Sequence, residues 1–299
     1  IPVVGVVPIA DIDIEDEDSL AERLNRRERK AGTDIAVIRL PHLSNFTDFD
    51  VLERLDGVSL RYVEEAGELG LPDAVIIPGT KNTMSDLKWM RENGLADRIR
   101  ELSALDIPVV GICGGFQMLG KRLSDPYGVE HKGTMDGLGL LDAKTVFSRE
   151  KVRTRARGRM ADSLPGWELL SGAETEGYEI HMGVTRNLGG CREIMYSQEE
   201  GHPVLGLGNE SGTVIGTYLH GFFDAPGMAE RFAAQVESRK RAETEPACPV
   251  GEVHDWKRYK EEQYDRLAQL VRSSLDMDKI YEILGILKTS ELDRTGEHR

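Results

Sequence analysis

The strongest chemical signal in the sequence is the stretch Val110-Gly111-Ile112-Cys113-Gly114-Gly115-Phe116-Gln117-Met118-Leu119-Gly120. The apolar run Ile107–Cys113 predicts a strand ending on the cysteine, and a helix is expected to follow. A thiol on a sharp strand-to-helix turn has the geometry of a nucleophile elbow, with sulfur in place of oxygen. The flanking glycines suit it, because a residue held in a strained turn needs neighbours without a Cβ. At a helix N-terminus the macrodipole and free N–H groups favour a thiolate. An ordinary thiol, with a pKa of about 8.5, is only a few per cent ionised at neutral pH, so even a small downward shift matters. The N–H of Gly114 is then placed to hold an oxyanion. A buried structural cysteine is the competing reading, and the Gly-Ile-Cys-Gly-Gly arrangement favours the nucleophile.

A cysteine nucleophile needs a base within hydrogen-bond reach. His220 is the leading candidate, since it ends the apolar run Val214–Leu219 and precedes Gly221. His181, in Tyr178-Glu179-Ile180-His181-Met182-Gly183, is a second candidate and reads equally well as a structural histidine bonded to backbone. His42, His131, His202, His254 and His298 lie in polar surroundings and read as surface residues. The loop Pro78-Gly79-Thr80-Lys81-Asn82-Thr83 follows another apolar run. Gly79 lets backbone approach a ligand, and its N–H or that of Thr80 is a candidate second oxyanion donor. Thr83 and Asp86 also fit a helix-capping signature.

These residues must be carried by a scaffold that brings strand ends together. Strands are predicted at Asp34–Leu40, Ser59–Val63, Ala74–Pro78 and Ile107–Cys113, with helices near Phe49–Leu55, Thr83–Glu92 and Leu95–Leu105. Continuous apolar strands alternating with helices indicate an α/β fold with a mostly parallel sheet covered on both faces. Ligands in such sheets bind beyond the carboxyl ends of the strands, so the informative loops follow Leu40, Pro78 and Gly111. Residues 134–220 are richer in glycine, with strands at Thr145–Phe147, Cys191–Tyr196 and Val214–Leu219, and read as a partly antiparallel extension. From Met228 onward the chain reads as helical. In Asp255–Leu275, the spacing of Tyr259, Leu267, Leu270, Val271 and Leu275 predicts one packed helix face. Ile1–Ile9 reads as a buried strand, Ser19–Lys30 as a charged helix, and the last ten or so residues as frayed. Because the chain opens at Ile1 in mid-strand, we expect that an earlier segment is missing.

The net charge of −14 makes nucleic acid and anionic membranes poor partners. No apolar run approaches the roughly 18 residues of a membrane helix. Three scattered cysteines (Cys113, Cys191 and Cys248) argue against a disulfide framework and for a reducing, cytoplasmic setting, and their spacing offers no metal site.

Taken together, the motifs resemble the class I glutamine amidotransferases of flavodoxin-like fold, and among them the cobyric acid synthase branch (CobQ family). The resemblance rests on Ser44-Asn-Phe-Thr-Asp-Phe-Asp50, Pro78-Gly-Thr-Lys-Asn-Thr83, Gly111–Gly120, Gly177-Tyr-Glu-Ile-His-Met-Gly183, Gly216-Thr-Tyr-Leu-His-Gly221 and the tail segments Tyr264–Ala268 and Leu275–Met277. It implies a Cys113–His220 glutaminase, with Gly79, Thr80, Gly114, Gln117, Tyr178 and His181 in oxyanion or substrate-binding roles. It also implies glutamine as ammonia source, and a corrinoid acceptor reached through an amino-terminal synthetase domain that uses ATP and Mg2+. In that division, residues 1–30 are a remnant of the synthetase domain, 31–226 the glutaminase domain and 227–299 a helical extension. The chain carries no phosphate-binding G-x-x-x-x-G-K-[ST] loop, so no cofactor is expected within it. The resemblance implies amidation of adenosyl-cobyrinic acid a,c-diamide at side chains b, d, e and g. A related amidotransferase with another acceptor, such as the a,c-diamide enzyme or a cell-wall lipid amidase, would share the same chemistry, and a silent assembly module remains open. Most class I glutaminases place a carboxylate two residues after the base; here that position is Phe222, so a Cys-His dyad is expected, with Glu179 and Asp224 as possible substitutes.

Overall fold

The computed structural model describes residues 2–14, 31–200, 203–240 and 255–285. The expected helix over Ser19–Lys30, the last residues, His202, Cys248, His254 and His298 lie outside them. The chain divides into two compact units, Asp16–Trp256 and a smaller one made of Ile1–Glu15 with Lys257–Arg299.

The larger unit is built on one eleven-stranded sheet. Its parallel part comprises β1 (Thr33–Ile38), β2 (Val58–Val63), β3 (Ala74–Ile77), β4 (Val109–Ile112) and, last in the chain, β11 (Val214–Thr217), in the order β2-β1-β3-β4-β11. These are mostly apolar segments of the sequence, interrupted in β1 by Asp34 and in β2 by Ser59 and Arg61, and nearly every residue in them is buried. The helices α1 (Asp50–Arg54), α2 (Ala66–Leu69), α3 (Thr83–Glu92), α4 (Leu95–Ala104), α5 (Gly114–Leu119) and α6 (Met228–Lys240) cover them. Within the sheet, Arg61 on β2 forks onto the Asp34 carboxylate of β1 (2.8 and 3.2 Å) and donates to the Glu68 and Leu69 carbonyls, so this buried charge is fully partnered.

Beyond β11 the sheet turns largely antiparallel. The strands here are β5 (Arg122–Asp125), β6 (Gly133–Asp136), β7 (Ala143–Met160), β8 (Glu174–Asn187), β9 (Arg192–Ser197) and β10 (Val204–Gly208). The order runs β11-β10-β9-β7-β5-β6, and β8 pairs antiparallel with β7. Only Thr145–Phe147 of the 18-residue β7 is legible as a strand in the sequence. Past Phe147, one face of β7 carries Arg149, Lys151, Arg153, Arg155, Arg157 and Arg159 to solvent, which erases the apolar run that marks a buried strand.

One local expectation changes. The cap of α3 is Asn82, whose side chain accepts from Ser85 N (3.2 Å), in place of a Thr83–Asp86 pair. Asp86 instead accepts from Thr80 Oγ1 (2.5 Å) and from His42 Nδ1 (2.6 Å), which ties down the Gly79–Thr80 loop. An aromatic cluster closes the region behind the sheet edge. Trp167 stacks on Phe232 (5.3 Å), Phe232 meets Phe223 (5.0 Å), and Phe223 meets both Phe222 (5.0 Å) and Phe49 (6.4 Å).

In the smaller unit, α7 (Trp256–Ser274) and α8 (Met277–Ile283) carry the amino-terminal segment. Tyr259, Leu267, Leu270 and Val271 form the half-buried face of α7, at the predicted spacing. Of the segment Ile1–Ile9, the described residues 2–9 do not form the buried strand expected there: Val3, Val6 and Ile9 are exposed, and one isolated bridge joins Gly5 to Leu275. A strand needs a ladder, and helices offer that segment none. Anchoring comes from Asp276 N donating to Val4 O (2.7 Å) and Tyr259 Oη donating to Asp13 (2.8 Å).

Candidate active site

Cys113 sits where β4 meets α5, with φ 50° and ψ −105°. A non-glycine residue in that conformation is strained, and the surroundings enforce it. Cys113 N donates to Thr217 O (2.8 Å), fixing the turn to β11. A Cβ on Gly111 would lie 2.7 Å from Phe116 N, and one on Gly115 would collide with Ile77 O, so these two glycines permit the close passage of strand and helix. The thiol is nearly buried and points to the Ile180 carbonyl (Sγ···O 3.6 Å).

His220 arrives at the same edge because β4 and β11 are adjacent and parallel, with Ile112 opposite Thr217. The strand ends at Thr217, and His220 then exchanges two backbone hydrogen bonds with Tyr178 (2.9 and 3.1 Å). The Cys113 sulfur is close enough to the His220 ring to contribute to raising its pKa. The ring is buried, stacks on Tyr178 (5.2 Å between centroids), and donates from Nδ1 to Asp48 Oδ2 (2.7 Å). The other Asp48 oxygen accepts from Gly221 N (2.9 Å). Burial lowers the His220 pKa, but the Asp48 charge and hydrogen bond, followed by Cys113, outweigh it and push the imidazole up to about 10.

Asp48 is the residue that sequence reasoning missed. Phe222, where a carboxylate was sought, is a core aromatic, and Glu179 pairs with His181 (3.2 Å). Asp48 comes from the 3-10 turn Phe46–Phe49 after β1, within a stretch singled out only for its resemblance. The available signal was position: that turn follows Leu40, at the carboxyl end of a parallel strand, where ligand-facing loops are expected.

The other predicted residues converge unequally. Gly79 and Thr80 are at the site: a Cβ on Gly79 would lie 2.9 Å from His220 Cε1, and one on Gly114 would lie 2.6 Å from Thr80 Cγ2. The Gly114 turn and the Gly79–Thr80 loop therefore sit together beside the thiol, as two oxyanion donors require. Tyr178, 39% exposed, covers one face of His220, and its hydroxyl accepts from Asn45 Nδ2 (2.8 Å). Gln117 is buried on the helix that follows Cys113, accepting from Thr83 Oγ1 (3.1 Å) and donating to Tyr218 Oη (3.4 Å). His181 is buried, bonds the Gly183 carbonyl (2.8 Å) and stacks on Tyr218 (3.8 Å), so its two nitrogens are committed to protein partners.

Residues 34–228 match the family described as CobB/CobQ-like glutamine amidotransferase domain. The chain belongs to that family. This glutamine amidotransferase is 47% identical over 293 residues to a cobyric acid synthase of Ruminiclostridium cellulolyticum, and 47% identical over 296 residues to one of Lachnoclostridium phytofermentans. Each alignment covers 95% of this chain but 55% and 56% of the relative, so the chain spans little more than half the length of these curated relatives. A solved structure described as a glutamine amidotransferase shares the fold, with a TM-score of 0.50 at 19% identity, over 68% of this chain and 97% of that one.

In this amidotransferase domain a buried polar network backs the thiol. It runs from Gln117 through Tyr218 and Thr185 (2.6 Å) to Thr145 (2.7 Å). Burial, above all, holds the Tyr218 phenol well above its ordinary pKa, so it stays protonated and can donate. Glu130 accepts from Met84 N (3.1 Å) at the start of α3 and shares the single Thr83 hydroxyl hydrogen with Gln117 (3.1 Å to each), and burial raises its pKa. Among the described residues, no group of three His, Cys, Asp or Glu side chains could hold a metal ion, and no helix is long and apolar enough to cross a membrane.

Proposed function

We propose that this chain is the glutamine-hydrolysing portion of a cobyric acid synthase. The observation that carries the reading is the Cys113 thiol on a strained elbow, brought beside the His220 ring at the shared edge of β4 and β11. Cys113 sulfur attacks the side-chain amide carbon of glutamine, forming the S–C bond, while Gly114 N–H and the Gly79–Thr80 loop hold the oxyanion. His220 gives its proton to the leaving nitrogen as the C–N bond breaks, and ammonia departs. His220 then takes a proton from water. The hydroxide adds to the thioester carbon, the S–C bond breaks, and glutamate leaves with the thiol restored. The sum is glutamine and water to glutamate and ammonia. Gln117, Tyr178 and His181 shape the wall against which glutamine lies.

The likeness to cobyric acid synthases supports the acceptor: side-chain carboxylates b, d, e and g of adenosyl-cobyrinic acid a,c-diamide, in cobalamin biosynthesis in the cytoplasm. ATP and Mg2+ would serve an amino-terminal synthetase portion, where carboxylates are activated; the glutaminase step uses neither. The test is ammonia release from glutamine, with Cys113→Ala as the blank, followed by corrinoid amidation on adding the separately expressed synthetase portion. Cys113-dependent release with amidation supports the reading. Release that survives Cys113→Ala overturns the glutaminase, and release without corrinoid amidation overturns the acceptor.

A further inference from the structure

We propose that Asp48 is the positioning residue of this site, a third member contributed from the opposite end of the domain sequence, which holds His220 protonated at Nδ1 and keeps its ring in register with Cys113. The inference rests on the glutaminase reading above.

Four observations carry it. First, the contact is short and buried: Asp48 Oδ2 lies 2.7 Å from His220 Nδ1, and Asp48 is 3% exposed. A carboxylate can only accept there, so Nδ1 carries the hydrogen and the other ring nitrogen is left for the sulfur. Second, the carboxylate is itself held, because Oδ1 accepts from Gly221 N (2.9 Å). Both oxygens thus bind consecutive residues, His220 and Gly221, and the carboxylate plane and the ring plane are set together. Third, the turns bearing the two residues are locked by the apolar groups next to them. Phe49 follows Asp48, Phe222 and Phe223 follow Gly221, and Phe223 packs on Phe49 and Phe222. Fourth, the same turn reaches the other side of the ring. Asn45, three residues before Asp48, donates to the hydroxyl of Tyr178, which stacks on His220. The imidazole is therefore clamped at its edge and on its face by one short turn.

The position two residues after the base holds Phe222, which completes the apolar lock, and the charge that would otherwise stand there comes from residue 48. The groups facing His220 are Asp48 from the turn, Cys113 from the elbow and Tyr178 from β8. Asp48 is the carboxylate bonded to it. The sequence separation of 172 residues explains why a local motif does not reveal the pair.

The experiment uses the full chain with histidines labelled for NMR, alongside glutaminase kinetics. In the wild type the His220 Nδ1–H is expected to stay protonated well above pH 7. Asp48→Asn is nearly isosteric and should lower kcat by roughly a hundredfold to ten-thousandfold, the scale seen when the orienting carboxylate of a catalytic histidine becomes an amide. KM for glutamine should change by less than about threefold, because Asp48 touches no substrate. The His220 titration and the alkaline limb of the kcat profile should both move to lower pH. Asp48→Glu, which restores the charge on a longer arm, should recover part of the loss. An Asp48→Asn enzyme within about threefold of wild-type kcat overturns the proposal. So does a loss of kcat with an unmoved His220 titration, which marks a merely structural role. If Asp48→Asn does not fold, the wild-type titration decides alone: a His220 that deprotonates near pH 6.5 is not held by Asp48. Ammonia release that survives Cys113→Ala would refute the glutaminase reading itself, and the NMR titration would still report on the Asp48–His220 pair.

Discussion

Adding one methyl group at Gly79 should cost most of the turnover while leaving the fold in place. The backbone there is ordinary, since Gly79 is absent from the residues with positive φ, so alanine meets no conformational penalty. The new Cβ would lie 2.9 Å from His220 Cε1 and 3.4 Å from Ser44 O and Oγ. Carbon atoms in contact sit about 3.5–4.0 Å apart, so the ring or the loop must yield by roughly 0.6–1 Å. The loop is held by Ser44 N donating to Gly79 O (3.0 Å) and by Thr80 Oγ1 donating to Asp86 (2.5 Å). The ring is held by Asp48 on its edge and Tyr178 on its face. Strain of this kind costs about 1–3 kcal/mol of stability, and a displacement near 1 Å costs about a hundredfold in rate. Gly79→Ala is therefore expected to lose about tenfold to a hundredfold in kcat for ammonia release, with a modest fall in melting temperature. Gly67→Ala on α2 is the control: its Cβ meets nothing within 4 Å, and alanine in an exposed helix is favoured by up to about 1 kcal/mol. Full activity in Gly79→Ala, or an equal loss in Gly67→Ala, would refute the reasoning.

Other consequences follow from the same contacts. The His220 imidazole is raised from an ordinary 6.5 to about 10, so the stabilisation linked to its proton is complete below pH 6.5 and disappears as pH rises through 10. The stability gap between wild type and His220→Gln in urea should therefore be widest near pH 6 and narrow toward pH 10, by at most roughly 5 kcal/mol for a shift of this size; a gap independent of pH would contradict it. Trp167→Ala removes a stack on Phe232 (5.3 Å) and a hydrogen bond to Gly212 O (2.7 Å), and should lower unfolding free energy by about 3–5 kcal/mol, read from the urea midpoint. Asp34→Ala strands the buried Arg61 guanidinium and should cost a similar 3–5 kcal/mol, whereas unfolding within about 1 kcal/mol of wild type would show that the charge finds water.

The sequence by itself determined the parallel core and the elbow that carries Cys113. Strands buried on both faces are predominantly apolar, so β3, β4, β11 and most of β1 are legible as runs, while β2 is legible despite Ser59 and Arg61. An elbow is a local object, whose cysteine, flanking glycines and following helix all lie within eleven residues. The helix face of α7 is legible for the same reason, since its period is local. The strand β7 is legible only where it is buried. Its arginine-bearing stretch is paired by β8 at a distance, and pairing at a distance leaves no composition signal.

Tertiary structure alone decided the rest of the site. That His181 is spent on Glu179, the Gly183 carbonyl and the Tyr218 ring depends on strands and side chains packed around it, not on its neighbours in sequence. That Asp48 meets His220 depends on sheet order. The strand before Asp48 and the strand before His220 are separated in the chain by nearly the whole domain, yet β1-β3-β4-β11 sets their carboxyl ends along one edge. A histidine's tautomer is fixed by whatever carboxylate lies within hydrogen-bond reach in space, and that reach is created by the fold of the parallel sheet.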